Sequence, residues 1–93
     1  RYQRILADAF VSLDISANII VIHTVSGMAM AAAAALDSLD WPEILGSIAG
    51  DDTIMAVMRT PDDAPAVTKK MEQLTRSSLN QKGAVVYAEE PAH

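Results

Sequence analysis

Residues 44–59 read Ile44-Leu45-Gly46-Ser47-Ile48-Ala49, then Gly50-Asp51-Asp52, then Thr53-Ile54-Met55-Ala56-Val57-Met58-Arg59. Two strand-like runs flank three residues that favour turns, so the stretch predicts a β-hairpin with a turn built on Gly and Asp. Downstream, Thr60-Pro61-Asp62-Asp63 opens a helix expected from near Asp62 to about Leu79. Asp62 and Asp63 suit its positive end, while Lys69, Lys70 and Arg76 come later, as the helix dipole prefers. Ala66, Val67, Met71 and Leu74 form its expected apolar stripe. Asn80-Gln81-Lys82-Gly83 breaks it, and residues 84–93 are either a short extra strand over Val85, Val86 and Tyr87 or disordered.

Upstream of the hairpin, Asp40-Trp41-Pro42 ends another helix, because proline disfavours the α region for the residue before it. That helix spans about Met28 to Leu39, contains the alanines Ala31 to Ala35, and has Ser26 as an expected N-cap. It is apolar on nearly every side. The sheet of so small a domain covers only one side, so the other is expected to meet another subunit. Ile19 to Thr24 is a β-branched run that reads as a central strand. Between Ile5 and Ile15 apolar residues alternate, which predicts a strand from about Ala9, although Arg1 to Phe10 also accommodates a helix. Ser16-Ala17-Asn18 turns between these two strands. The expected order is ββαββα: an α+β two-layer sandwich of a four-stranded antiparallel sheet with two helices on one face. Residues 1–79 form this domain, and residues 80–93 a tail.

With 93 residues, 51% of them hydrophobic, the chain is one small globular domain. A domain of this size buries only roughly 60–65% of its unfolded surface, which favours oligomerisation. Seven basic residues against 12 acidic ones give a net charge of −5. That balance argues against nucleic-acid binding by this part of the chain; it suits a cationic ligand, with simple solubility as the alternative. With no cysteine there is no disulfide, thiolate zinc site or cysteine nucleophile, which fits a cytoplasmic protein. The longest apolar run, Gly27 to Leu36, is about half a membrane span, and no signal peptide is visible.

Asp51 and Asp52 carry the most suggestive chemistry. Two adjacent carboxylates in a tight turn repel each other, and a bound guanidinium or ammonium group relieves the repulsion. The alternative is a pair of solvated turn aspartates. Asp37 lies near the C-terminal end of its helix, where the dipole disfavours a carboxylate and invites a cation, with plain solvation at an exposed position as the alternative. Asp40 is read as a cap of the turn before Pro42. His23, at a strand end, has no second histidine at ligand spacing, so no metal site is expected. Ser26, Ser47 and Thr53 lack a nucleophile-elbow context. Gly46 and Gly50 are not followed by the Lys-Ser or Lys-Thr of a phosphate loop. The five methionines, Met28, Met30, Met55, Met58 and Met71, read as core and interface filler. No enzymatic activity is expected.

The run Ile44 to Ile54, with Gly50-Asp51-Asp52-Thr53 in its apolar frame, resembles the signature of the C-terminal domain of bacterial arginine repressors. Ile22-His23-Thr24, Gly27 and Leu36-Asp37-Ser38-Leu39 resemble the strand-to-helix part of the same domain. Asp37-Ser38-Leu39-Asp40-Trp41 and Arg59-Thr60-Pro61-Asp62-Asp63 are similar to its Gram-positive branch. The resemblance covers about residues 5 to 79. It implies a ββαββα unit that forms trimers, which pair into hexamers with L-arginine bound between the trimers. It further implies that Asp51 and Asp52 hold the guanidinium and ammonium groups, that Asp37 lies near the ligand, and that Ser47, Ala49 and Thr53 line the site. The family's operator DNA is bound by an N-terminal winged-helix domain that this sequence does not contain. There is no metal and no membrane partner.

Two positions depart from the family pattern. Met30 stands where a Gln or another polar residue is usual, and Ser26 replaces the residue before Gly27. Met30 offers a ligand no strong hydrogen bond, and one such bond to a charged group is worth about 1.5–3 kcal/mol, roughly ten- to a hundredfold in affinity. The ligand carboxylate is expected at the backbone amides where the Met28 helix begins. A ligand-blind oligomerisation domain of a paralogue, and a different amino-acid-sensing regulatory domain, remain as alternatives. A hydrolase using Asp51, Asp52 and His23 is the remotest reading.

Overall fold

The computed structural model describes residues 2–81, with side chains described through residue 75. Its elements are α1 (Tyr2–Ala9), β1 (Phe10–Ser16), β2 (Ile19–Thr24), α2 (Ala29–Ser38), β3 (Ile44–Ala49), β4 (Thr53–Met58) and α3 (Asp63–Gln81). The ββαββα order is present, preceded by a helix. The extra strand considered over residues 85–87 lies outside the described residues.

Helix α1 is the main addition. Ile5, Ala7 and Ala9 alternate as a strand would, but Ile5 and Ala9 are also one helical turn apart. Leu6 and Ala9 are fully buried, and α1 packs on both α2 and α3. The chain becomes extended at Phe10, where Thr24 is the partner across β1 and β2.

All strand pairs are antiparallel, in the order β1-β2-β4-β3. Helix α2 packs on β3 and β4, and α3 on β1 and β2. Ile20, Ile22, Ile54, Ala56 and Met58 point from the central strands into this helical layer and are buried. The alternate residues lie on the other side. There Ile48 pairs with Met55 and Met55 with Val21, while Ile19 pairs with Val57. Among the described residues this face has no helix over it: Ile48 is 77% exposed and Met55 48%. A register shift between Ile44 and Gly46 leaves Leu45 exposed on the same edge strand.

Two local expectations are corrected. In α3, Ala66 is exposed and Ala64 is buried with Val67 and Met71, because a helix repeats about every 3.6 residues and Ala64 lies one turn before Val67. Ser26 does not cap α2. It sits in the preceding turn, and the N-cap residue is Met28, with no side-chain cap hydrogen bond.

The connection between α2 and β3 is tied down at three points. Arg59 donates through Nε to the Pro42 carbonyl at 2.8 Å, and its backbone N–H donates to the Glu43 carbonyl at 2.9 Å. Lys70 of α3 donates to Glu43 Oε2 at 2.9 Å and lies 5.2 Å from the centre of the Trp41 ring. The Lys70 hydrogen bond and Glu43's own backbone N–H hold the Glu43 carboxyl below the usual carboxylate range, against a smaller opposing effect of desolvation. A carboxyl with a lowered folded-state pKa adds stability that is complete above the unfolded value and is lost as pH falls through the folded one. Lys70→Met is therefore expected to flatten the acid side of the stability–pH curve, read as Tm between about pH 5 and pH 2. Superimposable curves for the two proteins would show that the pair does not contribute.

Candidate functional site

The β3–β4 turn carries Asp51 and Asp52 to the point where β2 gives way to α2. The Gly50 N–H donates to the Thr53 carbonyl at 2.8 Å and closes the turn. Three backbone donors from the β2–α2 connection then converge on the two aspartates. The Thr24 N–H donates to the Asp52 carbonyl at 2.8 Å, and the Ala29 N–H to the Asp51 carbonyl at 3.1 Å. The Gly27 N–H donates to Asp51 Oδ2 at 3.2 Å. Gly27 has φ +77°, in the left-handed region that favours glycine, and a Cβ there would meet nothing within 4 Å. Backbone conformation, not crowding, accounts for this glycine.

Both aspartates are exposed. Thr53 donates through Oγ1 to Asp52 Oδ1 at 3.0 Å. The second oxygen of each carboxylate has no partner among the described residues. The turn thus presents two fixed carboxylates with acceptor capacity to spare, which suits a multivalent N–H donor such as a guanidinium or ammonium group.

Asp37 is at the other end of α2, beside β3. Met30, Ala34 and Asp37 are all exposed and spaced i, i+4, i+7, so they share one face of α2. Ser47 of β3 donates to Asp37 Oδ1 at 3.4 Å, a long contact. The eight-residue step from Ala29 to Asp37 corresponds to a rise of about 12 Å. Within one chain, then, Asp51 and Asp52 are together and Asp37 is apart. Ser47 and Ala49 pair with the buried Ala56 and Ile54 and so face the helical layer, whereas Thr53 pairs with His23 on the open side. Beside Asp37, a cleft of about 210 Å³ runs between the end of α2 and the start of β3, lined by Asp40, Trp41, Ile44 and Leu45 among others.

Other sequence expectations fare differently. The backbone N–H groups of Gly27, Met28 and Ala29 are already bonded, to Asp51, Val25 and Asp51 respectively, which leaves those of Met30 and Ala31 in the first turn of α2 as the ones open to a ligand carboxylate. His23 lies against Asp14, with Nε2 3.4 Å from Oδ2, not against the paired aspartates. Among the described residues no group of three His, Asp or Glu side chains is placed to hold a metal ion, and no helix is long and apolar enough to cross a membrane. The donors at Gly27 and Ala29 were missed from sequence, since a backbone amide carries no side-chain signal. Only the glycine at a helix start hinted at them.

The family model for the arginine repressor C-terminal domain matches residues 6–73. The chain belongs to this family. Among curated relatives, the arginine repressor of Lachnoclostridium phytofermentans is 57% identical over 74 residues, which cover 80% of this chain and 49% of that protein. The arginine repressor of Lachnospira eligens is 49% identical over 78 residues, covering 84% of this chain and 52% of that protein. That of Bacillus subtilis is 43% identical over 74 residues, with 80% and 50% covered. The chain spans about half the length of the curated relatives it matches. The relatives' names describe transcriptional repressors rather than enzymes. The matched region of the arginine repressor C-terminal domain family includes α2 and the β3–β4 hairpin with Asp51 and Asp52.

Proposed function

We propose that this chain is the L-arginine-binding and oligomerisation domain of a cytoplasmic transcriptional regulator of arginine metabolism, with L-arginine as corepressor. The observation that carries this reading is the Gly50-Asp51-Asp52 turn: two adjacent carboxylates, each held by one protein donor and each with a second oxygen free of partners among the described residues. Asp51 and Asp52 hold the ligand's cationic groups, and Asp37 and Met30 contribute from the exposed face of α2. Ser47 and Ala49 contribute from the helical side of β3, and Thr53 from the open side of the sheet beside Asp52. Family membership and the printed names of the relatives support the choice of arginine over other cations.

Assembly as a trimer, with two trimers paired around the ligands, is supported by the uncovered apolar sheet face and by the exposed Met30 at the start of α2. Arginine bridging carboxylates of opposing trimers favours the paired state by its differential affinity for it. In the full-length regulator that state favours one arrangement of the DNA-binding domains on operator DNA.

Calorimetric titration with L-arginine tests the reading, with L-citrulline as the neutral control. Heat with arginine near one site per chain, and none with citrulline, is the expected result. Asp52→Asn is expected to weaken binding by roughly ten- to a hundredfold, the worth of one hydrogen bond to a charged group. A folded, oligomeric protein that takes up neither ligand would overturn arginine sensing. A second reading, a ligand-blind scaffold, would then stand. Met30 favours it, being 71% exposed on the ligand-facing stripe with only a weak thioether acceptor to offer.

A further inference from the structure

We propose that Asp51 is a positioning residue that caps helix α2 from across the fold, so that the ligand turn and the first turn of α2 form one unit. Its second role, as a ligand contact, rests on the reading above; the capping role does not.

Helix α2 lacks a cap of its own. A helix start exposes N–H groups with no intrahelical partner, and these are usually satisfied by a Ser, Thr, Asp or Asn at the N-cap. Here the N-cap is Met28, at φ −105° and ψ −3°, without a side-chain hydrogen bond, and the first turn holds no acidic residue. Asp51 supplies part of what is missing from another hairpin of the fold. Its carbonyl accepts the N–H of Ala29, the first helical residue, and its carboxylate accepts the N–H of Gly27, 24 residues away, in the turn just before the helix. Its negative charge lies against the positive end of the helix. The left-handed Gly27 is part of the same device.

The two acids therefore have different duties. Asp52 is bonded through its side chain to the neighbouring Thr53 hydroxyl, so its carboxylate braces no other element among the described residues. Asp51 is anchored through Oδ2 to the α2 connection, which fixes where its remaining oxygen stands. Any cation drawn to the pair bears on the turn that carries Met30.

The test is amide hydrogen exchange by NMR in the ligand-free protein, for wild type, Asp51→Asn, Asp51→Ala and Asp52→Ala. Asp51→Ala is expected to speed exchange at Gly27 about tenfold or more, as an opened local hydrogen bond does. Asp51→Asn retains an acceptor oxygen and restores most of the protection. Asp52→Ala leaves Gly27 within about twofold of wild type. Unchanged Gly27 exchange in Asp51→Ala would overturn the proposal. Where Asp51→Ala does not fold, the Gly27 amide proton shift decides: it moves upfield in Asp51→Asn, because a neutral acceptor binds more weakly than a carboxylate, and no movement overturns the proposal. Arginine calorimetry on the same proteins separates the two readings. Protection changes without arginine binding would leave the cap and remove the ligand, while arginine binding with no Gly27 effect would do the reverse.

Discussion

Ile48→Asp is expected to convert the proposed assembly to single chains. Ile48 lies on the edge strand β3, 77% exposed, and pairs with Met55, itself 48% exposed. Val21 continues the row across β2, and Ile19 and Val57 lie beside it. Among the described residues this side of the sheet carries no helix. An interface formed there would bury Ile48 near its apolar centre, and a carboxylate in that position meets a desolvation cost of several kcal/mol with no counter-charge. A closed assembly repeats that cost in every subunit. In the isolated chain the same substitution stands in solvent, so the fold is unaffected. Sedimentation velocity is expected to show monomers with an unchanged far-UV circular dichroism spectrum. A full-size assembly in the variant would exclude the open sheet face as the contact. It would transfer the role to the exposed side of α2, with Met30, Ala31 and Ala34.

Leu36→Ala is expected to lower stability by about 2–5 kcal/mol. The buried side chains of α2 are Ala29, Ala32, Ala33, Ala35 and Leu36. Four alanines bring the helix close to its neighbours but contribute little area each. Leu36, 1% exposed, is the one large anchor, and its loss leaves a cavity that a backbone held by Arg59, Glu43 and Lys70 has little freedom to close. Urea denaturation at fixed chain concentration measures the effect, because assembly contributes to apparent stability. A loss below about 1 kcal/mol would mean that the neighbourhood collapses into the space. Arginine binding is expected to weaken in parallel, since Asp37 follows Leu36 on the same turn.

The hairpin around Gly50-Asp51-Asp52 was readable because both of its signals are local: β-forming runs and turn residues within a dozen positions. Helix α2 was readable for a similar reason, its alanines having high intrinsic propensity. The border between α1 and β1 was not. Ile5, Ala7 and Ala9 satisfy a period of two, yet Ile5 and Ala9 also fit a helix, and only packing of Leu6 and Ala9 against α2 and α3 separates the two. The apolar stripe of α3 was misplaced at Ala66 because an alanine at either 64 or 66 is compatible with the short pattern. The second subunit expected on α2 has a rival in the open sheet face, since alternation along β2 and β4 is apolar on both sides.

Sequence alone determined the order of the four strands and of α2 and α3, the acidic balance and the paired carboxylates in a turn. Each follows from residue type and spacing over a few positions, where propensity and turn chemistry act directly. Tertiary structure alone decided that Asp51 reaches Gly27 and Ala29, that Asp37 stands at the far end of α2 from the residue that Asp51 holds, and which side of the sheet has no helix over it among the described residues. Those depend on how the chain path returns β3 and β4 beside β2 and under α2. A contact between residues 24 apart leaves no periodic trace in the sequence that makes it.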